Sequence, residues 1–235
     1  MSKVMSFIPL HYGAEYLAYS IQSVEAVVDK ITILYTGHPS FGRETQELCP
    51  DTKEQLKEIA FGTSGKIEWI DVLAGNEGAH RAKVYDYSDG YDIILPIDSD
   101  EAWDPKALDD VLRQVEEGDA ERYGVLGFIH FWKSFNHVCR DQFAPIRAFK
   151  PAGEGEVAVS GCIYHFGYAQ RQEIMDYKWM IHGHQDELRP EWKELYLNWN
   201  GEGNVHPVAH GVWNPEPFDK TALPDFLKLH PNYGS

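Results

Sequence analysis

Asp98 and Asp100 stand two residues apart, directly after the apolar run Ile93-Ile94-Leu95-Pro96-Ile97. If the chain turns at Ser99, the two carboxylates can converge on one hard cation. Mg²⁺ and Mn²⁺ prefer oxygen ligands, and such an ion commonly holds one or two protein carboxylates together with substrate phosphates. The spacing therefore points to a metal–diphosphate site. An Asp-x-Asp triplet also occurs in many solvated turns, and this one is distinguished by its setting. Behind it, Asp104 is a suitable N-cap, Pro105 suits the first helical position, and Leu108, Val111, Leu112 and Val115 recur at helical spacing until Gly118. The acidic turn is thus held between a buried strand and a helix, and in an open α/β sheet ligands bind beyond the carboxyl ends of the strands.

The preceding chain alternates between the two periodicities. Val4–Leu10 reads as a strand, His11-Tyr12-Gly13 as a loop, and Leu17, Ile21, Val24 and Val28 as one face of a helix. Residues 30–35 form a second strand that ends at the turn residues Thr36-Gly37-His38-Pro39. Asp51 is placed to cap a helix carrying Leu56, Ile59 and Ala60, with Gly62 and Gly65 as its breakers. Residues 67–72 are a third strand, followed by Gly75-Asn76-Glu77-Gly78 and a short helical segment through Arg81, Lys83 and Tyr85. This alternation predicts a mostly parallel sheet flanked by helices.

Beyond Gly118 the pattern changes to strand-like runs at 123–132, 142–150 and 157–166, which predict an antiparallel or mixed extension. Residues 169–181 and 189–199 then read as helices, the second with Trp192, Leu195, Tyr196 and Trp199 on a stripe suited to core packing. Prolines at 207, 215, 217, 224 and 231 disfavour regular structure in the last segment, which is expected to wrap the surface. The 235 residues suit a single domain: 1–118 as one half, 119–205 as a second, and 206–235 as a C-terminal wrap.

A formal net charge of -16 argues against a broad phosphate-tracking surface, yet leaves room for a small anionic ligand neutralised by a metal. Cys49, Cys139 and Cys162 are odd in number and lack metal-ligand spacing, so a reducing compartment is expected rather than a disulfide framework. With no long apolar stretch at the N-terminus or elsewhere, the expectation is a cytoplasmic protein without a transmembrane segment. His182, His184, His206 and His210 show no zinc-hydrolase spacing. Trp103 and Trp132, near strand ends, are candidate stacking surfaces for a sugar ring.

Several fragments in order resemble GT-A glycosyltransferases of the family 2 type. Phe7-Ile8-Pro9-Leu10-His11-Tyr12, then Glu15-Tyr16-Leu17 and Ile21-Gln22-Ser23-Val24, looks like that family's opening strand, nucleotide-contacting loop and first helix. Asn76-Glu77-Gly78-Ala79-His80-Arg81 is similar to the Asn-x-Gly…Ala-Arg stretch before the metal strand, and Asp98-Ser99-Asp100 falls at the family's Asp-x-Asp. The likeness covers the first half well and the second loosely. It implies a GT-A (Rossmann-like nucleotide-diphospho-sugar transferase) α/β fold, with a mixed sheet flanked by helices. It further implies donor contacts from Ile8, Pro9, Leu10, Tyr12, Thr36, Asn76, Arg81, Asp98 and Ser99, and Mn²⁺ or Mg²⁺ on Asp98 and Asp100.

Ile163-Tyr164-His165-Phe166-Gly167-Tyr168 also resembles the segment by which several GT-A branches supply a third metal ligand, which would be His165. For the catalytic base the resemblance offers Glu156, by its order along the chain, or Asp186 and Glu187 in His182-Gly183-His184-Gln185-Asp186-Glu187. No clear Glu-Asp or His-Glu signature marks either, and inverting and retaining mechanisms both stay open. The implied function is metal-dependent transfer from a nucleoside diphosphate sugar to a saccharide or lipid-linked acceptor. The acidic balance ranks a modified-base DNA acceptor below these. Nucleotidyl transfer onto a sugar phosphate is an alternative, disfavoured by the lack of a Gly-rich loop with Arg and Lys, and a non-catalytic carbohydrate-binding protein on a degenerate fold is another.

Overall fold

Even-numbered and odd-numbered residues of β1 (Val4–Leu10) face two different cores, as a strand buried on both sides must. Val4, Ile8 and Leu10 join the larger cluster, and Met5 and Phe7 join a smaller one. This is a computed structural model that describes residues 2–39, 45, 47–140, 142–181 and 186–234. Parallel to β1 run β2 (Lys30–Tyr35) and β4 (Ile93–Pro96), one on each side, and β3 (Ile67–Asp71) lies beyond β2. The expected α/β architecture is present: a mixed, open sheet with helices against it.

The helices α1 (Leu17–Glu25), α2 (Lys53–Thr63) and α4 (Pro105–Glu117) bury Leu17, Ile21, Val24, Leu56, Ala60, Leu108, Val111 and Val115 in the larger cluster. Asp104 caps α4 by accepting from the backbone N–H groups of Lys106 and Ala107, with Pro105 at the first turn, as its sequence predicts. The other sheet face is covered more thinly, by α3 (Glu77–Ala82) and the 3-10 turn Lys83–Asp86, through Val84.

The second half completes the sheet. β6 (Arg122–Trp132) pairs antiparallel with β7 (His137–Arg140) and β8 (Ile146–Phe149), and β8 joins β4. β9 (Glu156–Tyr168) runs parallel to β6 and also pairs antiparallel with β5 (Glu101–Trp103). Three strands escaped the sequence reading, β5, β7 and the two-residue strand at Glu216–Pro217, because two to four residues without a continuous apolar run carry too little pattern to register. α5 (Gln172–Ile181) and α6 (Trp192–Asn198) follow, and Trp192 and Tyr196 enter an aromatic cluster with Trp132, Tyr168 and Trp213. Among the described residues no helix is long and apolar enough to cross a membrane.

Three local expectations need correction. Thr52, not Asp51, caps α2, its side chain accepting from Gln55 N. Asp51 is instead buried, accepting from Gly13 N at 2.7 Å and Ala14 N at 2.9 Å and pairing with Arg171, so it braces the loop after β1. Trp103 and Trp132 are both 0% exposed, so neither presents a face to a sugar. The C-terminal segment is more than a surface wrap. Its β10 (Glu216–Pro217) pairs with β7, while α7 (Asp225–Lys228) supplies Leu227, which with Leu223 is buried in a core cluster beside Tyr16 and Phe166.

Candidate functional site

A cleft of about 200 Å³ opens past the carboxyl ends of β1 and β4. Here the strand order reverses, since β2 lies on one side of β1 and β4 on the other, and such a point is where open α/β sheets bind ligands. Pro9, His11 and Tyr12 line it from the β1 end; Glu77, His80 and Arg81 from α3; Asp98, Ser99 and Asp100 from the acidic turn; His165 from β9; and Lys178 from α5.

The acidic turn is fixed from below. Ser99 Oγ donates to the Tyr12 carbonyl at 2.8 Å, and Ser20 Oγ of α1 donates to the Ser99 carbonyl at 2.9 Å. Gly13, at φ +133, has no room for a Cβ because the Ser99 side chain fills that space. The sequence after Ser99 then leaves the parallel ladder: β5 pairs with β9, Glu101 lies opposite His165, and Phe166 N donates to the Asp100 carbonyl at 2.7 Å. This short strand brings Asp100 and His165 together.

Asp98 and Asp100 end in different environments. Asp98 Oδ1 stands 2.7 Å from Arg81 and Oδ2 stands 3.2 Å from Arg147. Burial alone would raise the Asp98 carboxyl, but Arg81 and then Arg147 outweigh it and hold it below the usual carboxylate range. Arg147 also forks onto Glu101, at 2.8 Å and 2.5 Å, and Arg81 reaches Glu77 at 2.9 Å. Asp98 is therefore one member of a buried charge chain. Asp100 accepts from Gln170 Nε2 at 2.9 Å, while His165 Nε2 and the Lys178 ammonium each stand 3.8 Å away. Burial raises its carboxyl, Lys178 pulls it back, and the Asp98 charge raises it further. His165 is pushed well below the ordinary histidine value, by burial first and then by His130, Lys178 and Arg147, so it is neutral with a lone pair to offer.

The residues expected to contact a donor divide by what they expose. Pro9 and Tyr12 line the cleft, but Ile8 and Leu10 are 0% exposed and point into the core, which leaves only their backbone to a ligand. Thr36 and Asn76 border a small adjoining recess with Glu77 and His80, and Asn76 caps α3 by accepting from Ala79 N. His11 ties three elements together. The Thr36 carbonyl, which only accepts, lies 2.9 Å from His11 Nδ1, so Nδ1 carries the hydrogen and Nε2 accepts from the Tyr177 hydroxyl at 2.8 Å. Burial lowers this histidine as well.

None of the three expected bases lines the cleft. Glu156 starts β9 nine residues before His165, which at a strand rise of ~3.3 Å puts it about 30 Å away, exposed and paired with Arg122. Asp186 is exposed and does not line the cleft, and neither does Glu187. His182 and His184 lie outside the described residues. His206 serves a local turn, its Nδ1 accepting from Val208 N. The expected three-ligand set of Asp98, Asp100 and His165 is not assembled either: among the described residues no group of three His, Cys, Asp or Glu side chains is arranged to hold a metal. The reason is that Asp98 faces two guanidinium groups.

Sequence reasoning missed Lys178, His80, Glu101, Arg147, His130 and Gln170. For two of them there was a legible signal, a charged side chain inside an apolar run: Arg147 between Ile146 and Ala148, and Lys178 on a helix that buries Ile174, Met175, Tyr177 and Ile181. No protein-family model matches this chain, and no curated protein matches it.

Proposed function

We propose that this chain is a metal-dependent glycosyltransferase with a GT-A, family 2-like fold, moving a sugar from a nucleoside diphosphate sugar to a hydroxyl of a saccharide or lipid-linked acceptor. One observation carries the reading: a carboxylate only 8% exposed, Asp100, faces a neutral imidazole in a cleft at the strand-order reversal, with its paired cation Lys178 held off at 3.8 Å. The donor set fits a divalent ion in part. Asp100 Oδ1 and His165 Nε2 are 3.8 Å apart, less than twice a metal–ligand bond of about 2.1 Å, so one ion can touch both. Asp98, already ion-paired with Arg81 and Arg147, does not belong to that set.

When bound, Mn²⁺ or Mg²⁺ neutralises charge on the departing diphosphate. The chain's own residues do the rest. Lys178, fixed by donating to the Gly167 carbonyl at 2.9 Å, presents a second positive charge to the same cleft. Arg81 adds a third charge, and its pairing with Glu77 and Asp98 fixes its direction before a donor arrives. Pro9, Tyr12 and the Thr36 recess shape the nucleoside end. In the transfer the bond from the anomeric carbon to the diphosphate oxygen breaks, a bond to the acceptor oxygen forms, and the acceptor's proton leaves to a base. Glu156 is too distant to be that base.

Calorimetry with UDP-, GDP- and dTDP-sugars in the presence and absence of Mn²⁺ tests the reading. Binding of at least one donor that requires Mn²⁺ is expected, and absence of binding across the panel overturns it.

A further inference from the structure

His130 and His165 are registered partners on the parallel strands β6 and β9, and their Nδ1 atoms are 2.8 Å apart with the rings nearly perpendicular, at 87°. Two imidazole nitrogens at that distance share one hydrogen, so one ring donates and the other accepts. Two arrangements exist. If His130 donates, a neutral His165 carries its own hydrogen on Nε2 and directs it at Asp100, but the 3.8 Å separation there is too long for a hydrogen bond. If His165 donates, its Nε2 bears a bare lone pair on the Asp100 side.

The surroundings fix both rings. Trp213 lies against His130 at 4.3 Å between centroids and Phe128 at 5.1 Å, and His130 is only 7% exposed. On the His165 side, a Cβ at position 167 would stand 2.5 Å from His165 Nε2, so glycine there leaves the ring its place. A histidine that ligates a metal through one nitrogen almost always donates its other N–H to a fixed acceptor, which sets tautomer and orientation.

We propose that His130 is a positioning residue for His165: its Nδ1 accepts the His165 Nδ1 hydrogen and thereby leaves His165 Nε2 free to bind a divalent cation shared with Asp100. This rests on the assignment of Asp100 and His165 as the cation's protein ligands. No proton is consumed or released, since the hydrogen stays on His165.

The test is Mn²⁺ alone, titrated against the purified full chain and followed by the electron paramagnetic resonance signal of the free ion. His130→Phe keeps an aromatic ring against Trp213 but has no acceptor, whereas His130→Asn offers a carboxamide oxygen. Mn²⁺ affinity is expected to fall roughly 10- to 100-fold in His130→Phe and to stay within about threefold of wild type in His130→Asn. Wild-type affinity in His130→Phe, or an equal loss in both variants, overturns the proposal while His165→Ala still weakens binding. Wild-type affinity in His165→Ala, or no Mn²⁺ binding by the wild-type chain, overturns the ligand assignment and this inference with it. Should His130→Phe fail to fold, the histidine ¹⁵N spectrum of the wild-type chain decides. His165 protonated at Nδ1 supports the proposal, and protonation at Nε2 sinks it.

Discussion

β6 and β9 lie side by side, and the two ends of their ladder hold cross-strand pairs of opposite character. At the start, Arg122 and Glu156 form an ion pair of 2.9 Å with side chains 50% and 53% exposed. Eight residues on along β6, His130 meets His165 in a buried contact, and Asp100, Lys178 and Arg147 are gathered around it. Both are polar pairs in register on the same strands. What separates them is which end of the sheet they occupy: the second sits at the cleft, where low exposure strengthens each charge, and the first sits in water, where screening weakens it. A residue's chemical type says little about its work until its end of the strand is known.

The largest break in that contrast is expected at Arg147. Its guanidinium holds Glu101, whose side chain is 1% exposed, and Asp98. Removing it with Arg147→Met leaves the buried Glu101 without its counter-charge and Asp98 with Arg81 alone, and a loss of about 3–5 kcal/mol in unfolding free energy is expected by urea titration. Adding Glu101→Gln should recover a substantial part of it, because the second change removes one stranded charge. At the exposed end no such pair of effects is expected.

Next in size is Asp100→Asn. The change is isosteric and keeps an oxygen for Gln170, but it removes the carboxylate charge. Mn²⁺-dependent donor binding is expected to weaken about 100-fold, which is roughly 2.7 kcal/mol, with unfolding free energy nearly unchanged. Equal donor affinity in the variant would place the cation elsewhere.

Much of the frame that positions these groups was legible. The Ile93–Leu95 run marked a buried strand, and Asp104 with Pro105 marked the start of α4, because each signal is local and repeats over several residues. The partners were not legible. Arg147 lies 49 residues from Asp98, and Asp51 is 38 residues from the Gly13 amide it accepts from. The element that unites Asp100 with His165 is three residues long, too short for a pattern. Glu156 was expected at the site for a related reason: order along the chain put it between the strand through Arg147 and the strand ending at His165, while β9 begins at Glu156 and carries the two residues toward opposite ends.

A pH effect of intermediate size extends the contrast to the C-terminal segment. His230 is 4% exposed, stacked on Tyr16 at 4.6 Å, flanked by Tyr19 and Phe135, with Nε2 3.3 Å from the Glu15 carbonyl. Burial pulls it down from 6.5 to about 4. The unfolded chain therefore binds a proton that the folded chain refuses between those values, and its contribution is complete above about pH 6.5 and lost as the pH falls toward 4. Between pH 7 and pH 5 the wild-type chain should lose about 2 kcal/mol more stability than His230→Phe, measured by urea unfolding at both pH values. Parallel slopes in the two proteins would show that this histidine is protonated in the fold.

The smallest effect is expected at Glu156, and it is the one that separates the two ends of the ladder most directly. An exposed ion pair of this kind contributes about 1 kcal/mol or less. Glu156→Gln should therefore leave unfolding free energy within that margin, and it should leave the proposed Mn²⁺-dependent donor binding and sugar transfer at wild-type levels, because the side chain stands about 30 Å from His165. A base cannot take a proton across that distance. Loss of transfer in a folded Glu156→Gln protein would mean that the exposed end of β9 reaches an acceptor after all, and the division between a working end and a solvated end would fail.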